Sequence, residues 1–159
     1  MHVTGRSLPQ LLTEARRWFE DALLASLEEA EVAPVSPTQV QLFSVLDMEG
    51  TTVSELARRT GVTRQTAHQA VHGLVAAGLL EQTPDPSSGR QRLIRRTVLG
   101  ERAHRQAGVI LERLEDELAE RIGRAAVEAL RSALGKPWGA PPVLPPSPGE
   151  GRPGARTSG

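Results

Sequence analysis

The stretch from Thr63 to His72, Thr-Arg-Gln-Thr-Ala-His-Gln-Ala-Val-His, gathers side chains able to grip and read a polyanion. Arginine forks onto phosphate or a guanine edge, glutamine pairs bidentately with adenine, and a threonine methyl can touch thymine. If Thr63 opens a helix, the amides that follow it also suit a phosphate, because a helix N-terminus attracts anions. Ala67, Val71 and Leu74 fall at i, i+4 and i+7 and are expected to face inward. Arg64, Gln65, His68, Gln69 and His72 are then left pointing outward, with Thr66 near the start of the same helix. An ordinary surface helix mixes Glu and Lys at such positions, yet no acid occurs between Thr60 and Leu80.

Other chemistries fit less well. The chain has no cysteine, which removes disulfides, thiolate nucleophiles and zinc–cysteine sites. It shows no Gly-rich phosphate loop, no serine elbow after a strand, and no paired carboxylates framed by an apolar pocket, so an enzyme is not expected. His68 and His72 have the i, i+4 spacing of a metal pair, which keeps a zinc-responsive winged-helix regulator as an alternative. Two histidines are not a full site, however, and a helix facing an anion is a poor place for a cation. No metal site is assigned and no cofactor is expected. A further alternative is a helical interaction module without DNA binding, in which the acidic Ser26–Glu31 segment docks a basic partner.

The formal charge of the 159 residues is zero, but it is unevenly spread. Residues 10–50 hold two arginines against eight acids, whereas residues 51–105 hold nine arginines against four. A basic block inside a neutral chain points to an anionic partner for one face. The start of the chain has no apolar run of signal or membrane length, so a cytoplasmic protein with no membrane partner is expected.

The elements that must position the polar stretch can be read from caps and periodicity. Apolar residues recur at helical spacing from Leu8 to Ala30. Ser36-Pro37-Thr38-Gln39 combines an N-cap, a first-turn proline and a capping-box glutamine, opening a helix expected to reach about Met48. Thr52-Val53-Ser54-Glu55 opens a short helix ending near Thr60, and Thr63 caps the next, which runs to Ala77 and stops at Gly78. Two short helices joined by Thr60-Gly61-Val62 form a helix-turn-helix, a motif that lays its second helix in the DNA major groove. "LLEQT" and "RQRLIRRT" read as two strands of a hairpin whose tip holds Ser87-Ser88-Gly89-Arg90. Thr97 caps a long helix to Ile122, and Ala125–Leu134 forms one more. Seven of the twelve prolines follow Gly135, which suggests a disordered tail. The fold class is thus mainly α with a small β-hairpin wing.

The segment from Thr52 to Thr97 resembles the winged helix-turn-helix core of the MarR family, the multiple-antibiotic-resistance type of transcriptional regulator. The matching features are Leu56-Ala57, Gly61-Val62, Leu74, Gly78-Leu79 leading into the hairpin, Asp85-Pro86, and Thr97-Val98-Leu99-Gly100. With the flanking helices the resemblance covers roughly residues 8–134. It divides the chain into a disordered N-terminus (1–7), an N-terminal dimerisation helix (8–34), the winged core (35–97), C-terminal dimerisation helices (98–135) and a disordered Pro/Gly-rich tail (136–159). It implies a homodimeric, ligand-responsive repressor on a pseudopalindromic operator in double-stranded DNA. The DNA-binding residues would be Thr63, Arg64, Gln65, Thr66, His68, Gln69 and His72 on the reading helix, with Arg90 and Arg92 on the wing. Relatives usually carry Asp-x-Arg at the wing tip, where this chain has Ser88-Gly89-Arg90. A small apolar or aromatic effector would sit between the outer helices and the core, in a mainly aliphatic pocket drawing on Trp18, Phe19 and Phe43.

Overall fold

Side-chain caps set most of the helix starts. In the computed structural model, which describes residues 5–32 and 35–145, Ser36 Oγ accepts the Gln39 amide at 3.2 Å while Gln39 Oε1 accepts the Ser36 amide at 2.8 Å. This reciprocal box opens α2 (Pro37–Ser44). Thr52 caps α3 (Val53–Thr60), Thr63 caps α4 (Arg64–Ala76) and Thr97 caps α5 (Val98–Ile122), each hydroxyl accepting the amide three residues on. The set is completed by α1 (Leu8–Glu29) before these helices and α6 (Arg124–Leu134) after them.

Between α4 and α5 lies an antiparallel hairpin of β1 (Leu80–Asp85) and β2 (Ser88–Arg96). Thr51 joins it as a third, single-residue partner, exchanging backbone hydrogen bonds with Ile94 at 3.0 and 2.9 Å. That bridge ties the wing to the loop ahead of α3. The fold is mostly helical with a two-stranded wing, as the sequence predicts.

The core is the meeting place of α2, α3, α4 and the hairpin. Leu42, Leu56, Ala67, Val71, Leu74, Leu79, Leu80 and Ile94 form one buried cluster. Gly61 closes α3 in the left-handed conformation, φ 69°, which lets Val62 turn the chain back so that α4 packs across α3. Gly100 serves the opposite end of the core. A Cβ there would come within 2.0 Å of the Leu79 carbonyl oxygen, so only glycine lets α5 lie this close to the start of the hairpin.

Several boundaries differ from the sequence expectation, α1 and α4 ending one residue early at Glu29 and Ala76. The second helix ends at Ser44 and not near Met48, and the carbonyls at and just beyond its end are claimed from afar. Arg59 Nη1 takes the Val45 oxygen at 2.8 Å, and Arg96 Nη1 takes those of Phe43 and Leu46 at 3.1 and 3.3 Å. The hairpin turn falls at Pro86-Ser87, where Asp85 Oδ1 accepts both the amide and the hydroxyl of Ser87, so Ser88 and Arg90 belong to β2 and not to the tip. The last helix starts one residue earlier, at Arg124. Residues 1–4 and 146–159, parts of the expected disordered termini, lie outside the described residues. Residues 136–145 carry neither helix nor strand and are exposed.

Candidate nucleic-acid interface

The face formed by α4 and the wing is built by exclusion. Ala67, Ala70, Val71 and Leu74 are consumed by packing, so Arg64, Gln65, His68, Gln69 and His72 stand exposed along the rest of α4. Thr63 is committed to its cap: its hydroxyl accepts the Thr66 amide at 3.1 Å and donates to the Thr66 hydroxyl at 2.8 Å. Thr66 is half-buried, which leaves it the least accessible of the residues singled out on this helix.

Arg64 and His68 of α4, Arg90 and Arg92 of β2, and Thr52 to Ser54 at the start of α3 line a single cleft floored by Ile94. Gln82 of β1 borders both this cleft and an adjoining groove with His68, Gln69 and His72. Helix α4 and the hairpin thus present one continuous surface. Gln82, Gln91 and Ser54 line it without having been singled out from the sequence. The alternation of β1 and β2 and the opening of α3 at Thr52 were the signals that could have found them. Gln65 lines neither concavity and projects from the exposed face of α4 beside them.

The arginines of the basic block divide into two sets. Arg58 donates to both carboxylate oxygens of Glu55, at 2.9 and 2.6 Å. Arg59 holds Glu55 and both oxygens of Asp47, and Arg96 holds Glu101. These contacts draw the Glu55 carboxyl down to about 2, through the Arg58 bond first and the Arg59 bond second, and lower Asp47 chiefly through Arg59. Arg64, Arg90 and Arg92 make no ion pair among the described residues, nor do Arg95, Arg102 and Arg105, but only the first three line the cleft. Their charge is uncompensated where the cleft is, the electrostatic condition for attracting phosphate.

A separate apolar cavity of about 110 Å³ lies between α1, α2, α4 and α5. Leu23 and Leu27, Val40 and Phe43, Leu74, and Ala103, Ala107, Gly108 and Leu111 form its walls, with His104 at one side. Burial lowers the His104 pKa, the Arg96 charge lowers it further, and Glu101 opposes them. Of the three aromatic residues expected at a pocket, only Phe43 is here. Trp18 and Phe19 pack edge to face on each other, 4.9 Å between centroids, with the Arg121 guanidinium 5.7 Å from the Trp18 ring. They lie earlier on α1 than Leu23 and Leu27, so the structure does not bring them to the cavity wall. Among the described residues no group of three or more His, Asp or Glu side chains could hold a metal ion, and no helix is long and apolar enough to cross a membrane.

Comparison with known proteins agrees with this architecture. A family model described as MarR family matches residues 33–91, the winged core. An uncharacterized protein of Mycobacterium tuberculosis, Rv2011c, is 36% identical over 97 residues, covering 59% of this chain and 66% of that protein, a little under two thirds of its length. The transcriptional repressor CouR, solved bound to a 23-mer DNA duplex, superposes with a TM-score of 0.65 at 26% identity, covering 80% of this chain and 89% of that one. Apo MarR from E. coli shares the fold with a TM-score of 0.68 at 20% identity, over 82% of this chain and 95% of its own. Residues 33–91 thus match the MarR family model, and core, wing and flanking helices share the winged helix-turn-helix fold of MarR.

Proposed function

We propose that the protein is a sequence-specific DNA-binding regulator, a ligand-responsive repressor that grips a pseudopalindromic operator as a homodimer. The observation that carries this reading is the convergence of Arg64, Arg90 and Arg92, all without ion-pair partners among the described residues, on one cleft beside the exposed glutamines and histidines of α4. Gln65 and Gln69 face base edges in the major groove, and Arg90 and Arg92 hold backbone or minor groove from the wing. CouR, which shares this fold and was solved on a DNA duplex, supports the DNA-binding reading.

What α5 and α6 leave uncovered supports dimerisation. Val109, Ile122, Leu130 and Leu134 are each about half exposed in the single chain, and α6 has no buried residue. A second copy covering these faces would also place two reading helices about one turn of DNA apart. The apolar cavity is the seat proposed for a small uncharged effector.

Selection of bound duplexes from a random pool, followed by a search upstream of the gene itself, tests the reading. On the selected site Gln69→Ala should cost about 1–3 kcal/mol and relax preference at one symmetric pair of base positions. Arg90→Ala should weaken binding to all sequences alike and reduce the salt slope by roughly 0.9 per lost phosphate contact. Equal losses for both variants on specific and random DNA would show that wing and reading helix are misassigned; no loss for either would remove DNA from this face.

A further inference from the structure

The Arg96 guanidinium belongs to three elements at once. It stands at the end of β2, where its backbone pairs with Leu80. Its Nε donates to Glu101 Oε1 on α5 at 2.9 Å, and its Nη1 donates to the carbonyl oxygens of Phe43 and Leu46 at the end of α2. Its central carbon lies 5.5 Å from the centroid of the Phe43 ring. The side chain is only 6% exposed, so these contacts meet little competition from water. Phe43 is at the same time a wall of the apolar cavity, its ring 6.1 Å from that of His104. One guanidinium therefore touches both the ring and the backbone oxygen of a cavity residue while sitting at the root of the wing.

We propose that Arg96 is a positioning residue that carries occupancy of the cavity to the wing. A guest that turns the Phe43 ring must shift or break the stacking contact, and the carbonyl bonds of the same guanidinium move with it. Strand β2 then transmits the change to Arg90 and Arg92, on the strand that ends at Arg96. The regulatory meaning of this coupling rests on the DNA-binding reading above, but the mechanical link can be measured without DNA.

A simple structural staple makes a different forecast. Removing a staple loosens the hairpin but leaves the effect of filling the cavity unchanged, whereas removing a coupler abolishes that effect. Gly108 offers a way to fill the cavity from within, since it lines the wall and an added Cβ there would meet nothing within 4 Å. Leucine is also a better helix former than glycine, so Gly108→Leu should not weaken α5. Amide hydrogen exchange over residues 80–96 is followed in the full-length chain, its Gly108→Leu variant, Arg96→Gln and the double variant.

With Arg96 present, Gly108→Leu should change exchange in the hairpin by at least about fivefold. In the Arg96→Gln background the same substitution should change it by less than about twofold. Equal changes in both backgrounds, or none with Arg96 in place, would overturn the proposal. Should Arg96→Gln fail to fold, Phe43→Leu, which keeps the cavity apolar but removes the ring, takes its place with the same forecast. Binding of the full-length chain to a mixed-sequence duplex is measured in parallel. Coupling without DNA binding would overturn the functional reading alone, and DNA binding without coupling would overturn only the role of Arg96.

Discussion

Leu42, Leu56, Leu74, Leu80 and Ile94 of the winged core are withdrawn almost completely from solvent, whereas the 25 residues of α5 bury only Gly100 and Ala119. The contrast is one of completeness. Helices α2 to α4 and the hairpin satisfy their apolar faces within one chain, while α5 and α6 present theirs outward. Charge follows the same division. Arg58, Arg59 and Arg96 are paired with carboxylates of the same chain, and Arg64, Arg90 and Arg92 are left uncommitted on one face. A region complete in packing can afford unpaired charge at its surface, where water and counterions bear the cost. A region incomplete in packing is the one where the proposed second copy would dock.

The largest effect should come from the seam between the two regions. Gly100→Val places a side chain against the Leu79 backbone, which cannot recede, and should abolish cooperative unfolding in a thermal melt; a melt like that of the wild type would show that α5 can retreat from the hairpin. Next in size, Leu56→Ala should cost about 2–5 kcal/mol in urea denaturation, since the side chain is wholly buried and its removal leaves a cavity. A cost within about 0.5 kcal/mol, the range of ordinary surface substitutions, would contradict the completeness of the core.

The outer helices should answer differently. With the chain dimeric as proposed, Val109→Asp combined with Leu130→Asp should leave its circular dichroism near that of the wild type but shift sedimentation from dimer to monomer at micromolar concentration. Persistence of the wild-type oligomer would place the interface elsewhere. The smallest effect concerns Glu55. Its carboxyl is held near 2 in the folded chain against an ordinary value of 4.5, so its contribution is present above about 4.5 and is lost as pH falls toward 2. Glu55→Gln should therefore flatten the decline of the melting temperature within that window and change nothing of the pH dependence above it. An identical acid profile in both proteins would assign the decline to other carboxylates.

Local signals in the sequence were sufficient wherever the cause was local. Ser36, Thr52, Thr63 and Thr97 announce their helices because a capping hydroxyl acts three residues away. The inward set Ala67, Val71 and Leu74 follows from helical period alone, and with it the exposed face of α4. The failures at the end of α2 and at the pocket wall had causes far along the chain, whereas the displaced hairpin turn had a local one in Asp85 and Ser87. The early end of α2 depends on Arg96, about fifty residues later, and on Arg59, neither of which any window around Ser44 contains. Arg90 was expected at the hairpin tip because Pro84 to Gly89 is dense in turn formers. Pro84 is tolerated inside β1, though, in a two-stranded sheet with a register shift beside it. Aromatic character suggested Trp18 and Phe19 for a pocket, but which side of α1 meets α5 is a tertiary choice, and the wall went to Leu23 and Leu27.

Strand β2 passes into α5 through Thr97 alone, whose hydroxyl caps the helix and also donates to the Gly78 carbonyl oxygen at 2.6 Å. Such a joint has no slack, and this bears on how the gene can change length. One residue inserted here would turn α5 by about 100° and advance it by about 1.5 Å relative to the wing, swinging its outward apolar face away from any partner. An added residue in the hairpin turn at Pro86-Ser87 can be taken up by the loop with the β1–β2 pairing kept, and the exposed stretch 136–145 carries neither helix nor strand, so neither imposes such a phase. Insertions and deletions should therefore accumulate at those two places across descendants of this chain, while the spacing from Ile94 to Gly100 stays constant.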